Sequence, residues 1–293
     1  MGLAPVRSGA YDSAVFRPRP ASSPRLRRSG AAFGLVLLTS IGLLNPTAQA
    51  QDAAPTLECP PIRAPVSVDG NLSDWNGLTP MTIGEANLTQ QDPHYAGATD
   101  LSGRIWVARS ATTLYVAGEV LDDTLFWNSE VTWLGDGVEI FLDFAPTTTV
   151  REPETGYDGA CYQLLLYPLA TELRWKFSKF RGGEGRPDDP VDGIELAGLE
   201  LRDGMAGYTF ELALPLANFP GAVELAEEEG ATFGFDVALS DSDGLPRQKN
   251  YATLSGRSRL SEYPSRFGRM SFGARPTPSS SRSGRSFSPI APT

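Results

Sequence analysis

The chain has 293 residues, 41% of them apolar, with 35 Asp and Glu against 25 Lys and Arg and a formal net charge of −10. An acidic surface repels phosphate backbones and anionic lipid, which sets aside nucleic acid and membrane surfaces as partners and leaves neutral glycans and divalent cations compatible. Its length suits one well-cored domain of the larger all-β kind.

Arg25, Arg27 and Arg28 precede an apolar run over residues 31–44, and Ala48-Gln49-Ala50 follows it, the pattern of an export signal cleaved after Ala50. Residues 1–24 make the leader unusually long. The apolar run is shorter than the ~20 residues a permanent span needs, so a secreted or periplasmic protein is expected. Residues 1–50 carry six Arg and one Asp, and their removal leaves a net charge of about −15.

Residues 51–65 are Pro- and Ala-rich and read as an extended lead-in, and residues 66–70 as a short strand closed by an Asp69-Gly70 turn. Residues 104–108 and 114–120 are expected to pair as a hairpin across a short polar turn. From Val138 onward, Val138, Ile140, Leu142 and Phe144 alternate with Glu139, Phe141 and Asp143, the period of a strand with one face on a core. Further strands are expected over 161–167, 172–180, 194–201, 208–214, 232–239 and 266–272. Residues 215–219 read as one helical turn, and 222–229 as either a second turn or a solvated acidic loop. Residues 274–293 are rich in Arg, Ser and Pro without apolar period, and disorder is expected there. About ten short strands with regular turn signals predict an all-β fold over residues 66–273: a two-sheet antiparallel β-sandwich of jelly-roll type.

The chemistry-bearing residues gather around the strand at 138–144. A pyranose ring has an apolar C–H face that stacks on an aromatic ring and hydroxyls that demand paired donors and acceptors, so Trp133 beside Glu139 suits a sugar. Each also has a structural reading: Trp133 as a partly buried core residue, and Glu139 as a solvated acid on an exposed strand face. Trp127, in the preceding loop, is a second aromatic candidate, whereas Trp75, Trp106 and Trp175 fall in or beside strands and are assigned to the core. Asp122, Asp123 and Asp136 offer hard oxygen ligands for structural calcium or, equally, plain turn chemistry. Asp241-Ser242-Asp243-Gly244 is ambiguous in the same way. Cys59 and Cys161 in an exported chain form either a single disulfide or two buried thiols.

The order of Val68-Asp69-Gly70-Asn71-Leu72-Ser73-Asp74-Trp75, Leu114-Tyr115-Val116 with Val120-Leu121-Asp122-Asp123, the 133–143 run, Gly207-Tyr208-Thr209-Phe210-Glu211 and Pro264-Ser265-Arg266-Phe267-Gly268 resembles the family 9 carbohydrate-binding modules and the wider DOMON-like sandwiches. The resemblance implies a non-catalytic sandwich that binds glucan- or xylan-type chain ends by aromatic clamping and holds its loops with calcium, serving partner enzymes that degrade polysaccharide. It implies Trp133 as platform and Glu139 as hydroxyl acceptor. Gln163 stands about where such modules carry an arginine. Tyr263 stands where the second clamp tryptophan is expected, and without that substitution the site is an open platform with weak binding.

Three other functions compete. A glycoside hydrolase needs two carboxyls about 5 to 9.5 Å apart, whereas Glu139 and Asp143, four strand residues apart, are separated by about 13 Å. A haem-binding DOMON-like electron-transfer domain needs axial ligands, and Met81, Met205, Met270 and His94 show no telling spacing. The third is a structural envelope module with no small ligand.

Overall fold

A computed structural model describes residues 56–62, 66–126, 134–145, 160–170, 173–181, 193–201, 206–244 and 250–274. The export signal at 1–50, the tail from 275, Trp127 and Trp133 lie outside the described residues.

Thirteen strands are described: β1 (Thr56–Cys59), β2 (Met81–Ile83), β3 (Leu88–Gln90), β4 (Leu101–Arg109), β5 (Thr113–Asp122), β6 (Gly137–Asp143), β7 (Cys161–Ala170), β8 (Leu173–Arg181), β9 (Glu195–Glu200), β10 (Gly207–Pro215), β11 (Thr232–Asp241), β12 (Asn250–Thr253) and β13 (Gly268–Phe272). They form two sheets, as the turn spacing predicts. One runs β1-β13-β11-β6-β7-β8, with β12 pairing β11 and β3, and the other runs β2-β4-β5-β10-β9. Pairing is antiparallel throughout except between β1 and β13. The β4–β5 hairpin forms as expected.

The two-residue period explains the core. On β6, Val138, Ile140 and Leu142 face inward and register with Leu166, Leu164 and Tyr162 of β7 on one side and Leu239, Val237 and Phe235 of β11 on the other. These residues meet Ile105, Val107, Val116, Phe210 and Leu212 of the second sheet in one continuous cluster. Residues 222–229 resolve into helix α1 (Ala222–Glu227), which buries Ala222, Leu225 and Ala226, and residues 216–218 form one 3₁₀ turn.

One expectation is corrected and two are made more specific. Residues 66–70 are not a strand; they cross the outer face of the five-stranded sheet, where Val66, Leu72 and Leu78 pack with Trp75 and Trp106. The reason is local: the Ser67 N–H bonds the Asp74 carboxylate at 2.9 Å, and the Asp69 and Gly70 N–H groups bond Glu211 Oε2 at 2.9 and 2.7 Å, so the backbone donors are taken by acids rather than by a neighbouring strand. The lead-in is not merely extended, since Thr56–Cys59 pairs with β13. Cys59 and Cys161 are both buried and form no disulfide, which decides between the two alternatives left open by the sequence. They lie on β1 and β7 with β13, β11 and β6 between them, four strand spacings or roughly 19 Å, far beyond the ~7 Å a disulfide bridges.

Glu211 on β10 anchors the N-terminal covering segment, because its other oxygen accepts the Trp75 indole N–H at 2.7 Å and its side chain is fully buried. Gly70 takes φ +84° there, and a Cβ on it would meet Leu199 Cγ at 2.8 Å. Charge-assisted hydrogen bonds contribute about 1.5 to 3 kcal/mol each, and removing the acceptor orphans three donors. Glu211→Ala is therefore expected to lower stability by about 3 kcal/mol or more in urea denaturation; a loss under about 1 kcal/mol contradicts the anchoring role.

Candidate functional site

The outward positions of β6 carry Glu139, Phe141 and Asp143, as the alternation predicts, but this face is not open. The chain between β12 and β13 folds back over it. Leu260 and Phe267 pack on Phe141 and Ala238, with the Phe141 and Phe267 ring centroids 5.4 Å apart. Asp236, on the adjacent β11, holds both ends of this loop: its carboxylate accepts the Ser255 N–H at 3.2 Å and the Gly268 N–H at 3.2 Å. Arg257 donates to the Arg266 carbonyl and Arg266 to the Ser258 carbonyl, which close the loop on itself.

Between loop and sheet is a cavity of about 560 Å³, floored by Glu139, Gln163 and Leu165 and walled by Thr89 and Gln90 of β3, Tyr251 of β12 and residues 258–262. That volume falls in the ~300–1,000 Å³ range of small-molecule sites. Gln163, one strand over on β7, donates its amide to Glu139 Oε2 at 2.5 Å, and the Tyr251 hydroxyl also bonds that carboxylate. Glu139 is only 4% exposed. Burial pushes its carboxyl up to about 6, against the pull of these two hydrogen bonds. Sequence reasoning thus brought Glu139 and Gln163 into one site, while its picture of Glu139 as a solvent-facing acid is corrected by the loop that covers it.

On the rim, Arg259 takes φ +63°, and its carbonyl accepts the N–H groups of Glu262 and Tyr263 at 3.1 Å each. Its guanidinium bonds the Glu262 carboxylate through Nε at 3.1 Å and through Nη2. Tyr263 follows the rim residues but does not line the cavity, and the Arg259 and Arg266 guanidinium carbons lie over its ring at 4.6 and 4.7 Å. A ring engaged by these cations is not a free platform, so the clamp role expected of Tyr263 is not what this arrangement offers. Trp75 and Trp106 are buried in the core as expected, and Trp175 lies on β8.

Tyr251, Arg259 and the β3 wall were not foreseen. β3 and β12 span three and four residues, too short for a period to register, and they approach Glu139 only through the β11–β12–β3 pairing.

The acids foreseen as calcium ligands divide between two clusters at one end of the sandwich. Asp122 at the end of β5 and Asp136 before β6 converge with Asp241 at the end of β11, all buried; Asp123 instead joins Asp100 and Asp243. Within each cluster one oxygen per residue lies within 4.8 Å of the others, the span of two ligands placed ~2.4 Å from a shared ion. In the buried cluster Asp136 accepts the Ser242 N–H at 2.9 Å and the Phe126 N–H, and Asp122 Oδ1 accepts the Thr124 N–H at 3.1 Å. Asp122 Oδ2 is buried with no hydrogen-bond partner, so the donor set fits a hard divalent cation. Burial, with the adjacent Asp136 and Asp241, raises the Asp122 carboxyl to about 9, and burial raises Asp136 to about 7. His94 is an exposed loop residue, and Met81 and Met270 lie on strands of different sheets.

Residues 68–165 match the model of the family described as carbohydrate family 9 binding domain-like. A family 9 carbohydrate-binding module from Caldicellulosiruptor kristjanssonii in complex with cellotriose has the same fold, with a TM-score of 0.55, 19% identity, and coverage of 81% of this chain and 100% of that one. A structure of such a module from the same organism with glucose gives 0.53 and 18%, covering 76% and 97%. No curated protein matches the chain. The sandwich fold and the family 9 likeness read from the sequence are both borne out.

The buried acids Asp122, Asp136 and Glu139 set a pH dependence. The unfolded chain releases carboxylate protons near pH 4, whereas folded Asp122, Asp136 and Glu139 hold theirs to about 9, 7 and 6, so the native state binds more protons in this window and stability falls as pH rises. In chelator, the melting temperature is expected to drop by roughly 5 °C or more between pH 5 and pH 9, at about 2 to 4 °C per kcal/mol. A melting temperature that is flat or rises over that range contradicts the assignment.

Proposed function

We propose that this chain, a sandwich with the family 9 likeness over residues 68–165, is an exported, non-catalytic carbohydrate-binding module that takes oligo- or polysaccharide in the cavity floored by Glu139 and Gln163. The observation that carries this reading is the pair itself: a carboxylate that only accepts and an amide that both donates and accepts, 2.5 Å apart at the bottom of a cavity of sugar-site size. Adjacent sugar hydroxyls each need a donor and an acceptor, which this pair supplies. The Tyr251 ring is the described aromatic wall, and Trp127 and Trp133 are the further aromatic candidates by sequence alone. The neighbours bound to cellotriose and glucose support a glucan-type ligand.

Export is supported by the arginine-rich and apolar leader ending in Ala48-Gln49-Ala50, which places the module where polysaccharide and the enzymes that degrade it are found. A structural calcium held by Asp122, Asp136 and Asp241 is part of the same reading. It would offset two of the three negative charges of the converging acids and tie β5 of one sheet to β6 and β11 of the other. Catalysis by this chain is not part of it, since the carboxyls on β6 are too far apart to flank one glycosidic bond.

Titration of the full chain with cellotriose is expected to give binding that Glu139→Ala and Gln163→Ala each weaken by roughly tenfold or more, the equivalent of ~1.4 kcal/mol. Binding that both variants leave unchanged, or no binding of any neutral saccharide, contradicts the assignment. Added calcium is expected to raise the melting temperature of chelated protein, and Asp122→Asn to abolish the increase. A melting temperature indifferent to calcium removes the metal from the account.

A further inference from the structure

Among the described residues, no cation balances the carboxylate on the floor of the cavity. The partners of Glu139 among the described residues, the Gln163 amide and the Tyr251 hydroxyl, are neutral. Among the described residues, two others that line the cavity are charged, Arg259 and Glu262, and they neutralise each other at the rim: the guanidinium bonds Glu262 through two nitrogens and stacks over Tyr263. The formal charges of the described lining residues sum to that of Glu139 alone. Glu139 is almost wholly buried, so a charge arriving on a ligand meets it in a medium less screening than water.

The sign of this field distinguishes among sugars. A neutral hexose offers hydroxyl donors and gains ordinary hydrogen bonds. A uronic acid brings a second carboxylate toward the first, with the Arg259 guanidinium already committed to Glu262. An amino sugar brings an ammonium group, which replaces one hydroxyl donor by a charged one and leaves the rest of the ring's hydrogen bonding intact; charge-assisted bonds are roughly twice as strong as neutral ones. The overall charge of −10 acts in the same direction at longer range.

We infer that the cavity selects amino sugars, binding the ammonium group of a hexosamine on Glu139 in preference to neutral hexoses and rejecting uronic acids. This rests on the carbohydrate-binding reading of the same site. The specificity residue is Glu139, with Gln163 and Tyr251 holding its carboxylate in place. The Arg259–Glu262 pair keeps the rim neutral.

The test is calorimetric titration of the full chain near neutral pH with glucose, 2-amino-2-deoxyglucose, 6-amino-6-deoxyglucose, N-acetylglucosamine and glucuronate. At least one of the two amines is expected to bind roughly tenfold more tightly than glucose, the equivalent of ~1.4 kcal/mol, N-acetylglucosamine to lose that gain, and glucuronate to bind more weakly than glucose. Glu139→Gln keeps the shape and removes the charge, and is expected to bring the amines and glucose to equal affinity. Glucose binding with neither amine ahead of it overturns this inference and leaves the carbohydrate-binding reading standing. An amine preference that survives in Glu139→Gln also overturns it. Binding by none of the five sugars overturns this inference, and the titration with cellotriose then decides the carbohydrate-binding reading separately.

Discussion

The two-residue period of β6 is the constraint on which the rest depends. One strand sends Val138, Ile140 and Leu142 into the core, where they seal the sandwich between β7 and β11, and sends Glu139 and Phe141 to the opposite face. A one-residue slip would exchange the two sets, burying an acid in the apolar core and exposing three aliphatic side chains. The inward residues therefore fix the register that presents Glu139 beneath the loop, and Phe141 gives that loop an apolar seat beside it. The cavity is a by-product of this arrangement: a loop seated on Phe141 by Leu260 and Phe267, and pinned at both ends by Asp236, stands off the sheet where the outward side chains turn polar.

Buried acids elsewhere in the molecule meet their desolvation in different ways. Glu211 and Asp236 are satisfied by N–H donors from segments distant in sequence, and each fastens a covering segment to a sheet, one on either outer face. Asp122, Asp136 and Asp241 converge on one another, an arrangement that protons or a cation must balance. Glu139 is met by neutral partners in a cavity open to a ligand. The first two serve the architecture, whereas the other two leave charge to be matched by something that binds.

The strands long enough to show alternation were legible in the sequence, and so was the choice of Glu139 and Gln163 as residues of one site, which the family likeness implies. What escaped was short or non-local. β1, β2, β3 and β12 span three or four residues each, below the length at which a period can be counted, yet β3 and β12 wall the cavity. Residues 66–70 alternate like a strand, but their backbone donors go to Asp74 and Glu211. The acids nearest in sequence, Asp122 and Asp123, point to opposite sides of the chain and enter different clusters, which is the same period-2 rule acting at a strand's end. The cover over Glu139 depends on Asp236, a residue whose reach to Ser255 and Gly268 no local pattern announces.

The measurement that bears most directly on this account is a crystal structure of the chain soaked with cellotriose. The account predicts a pyranose ring in the cavity between β6 and residues 258–262, with hydroxyls within ~3.2 Å of the Glu139 carboxylate and the Gln163 amide. Saccharide density on another face of the sandwich, with Glu139 and Gln163 still bonded only to their present partners, would contradict it.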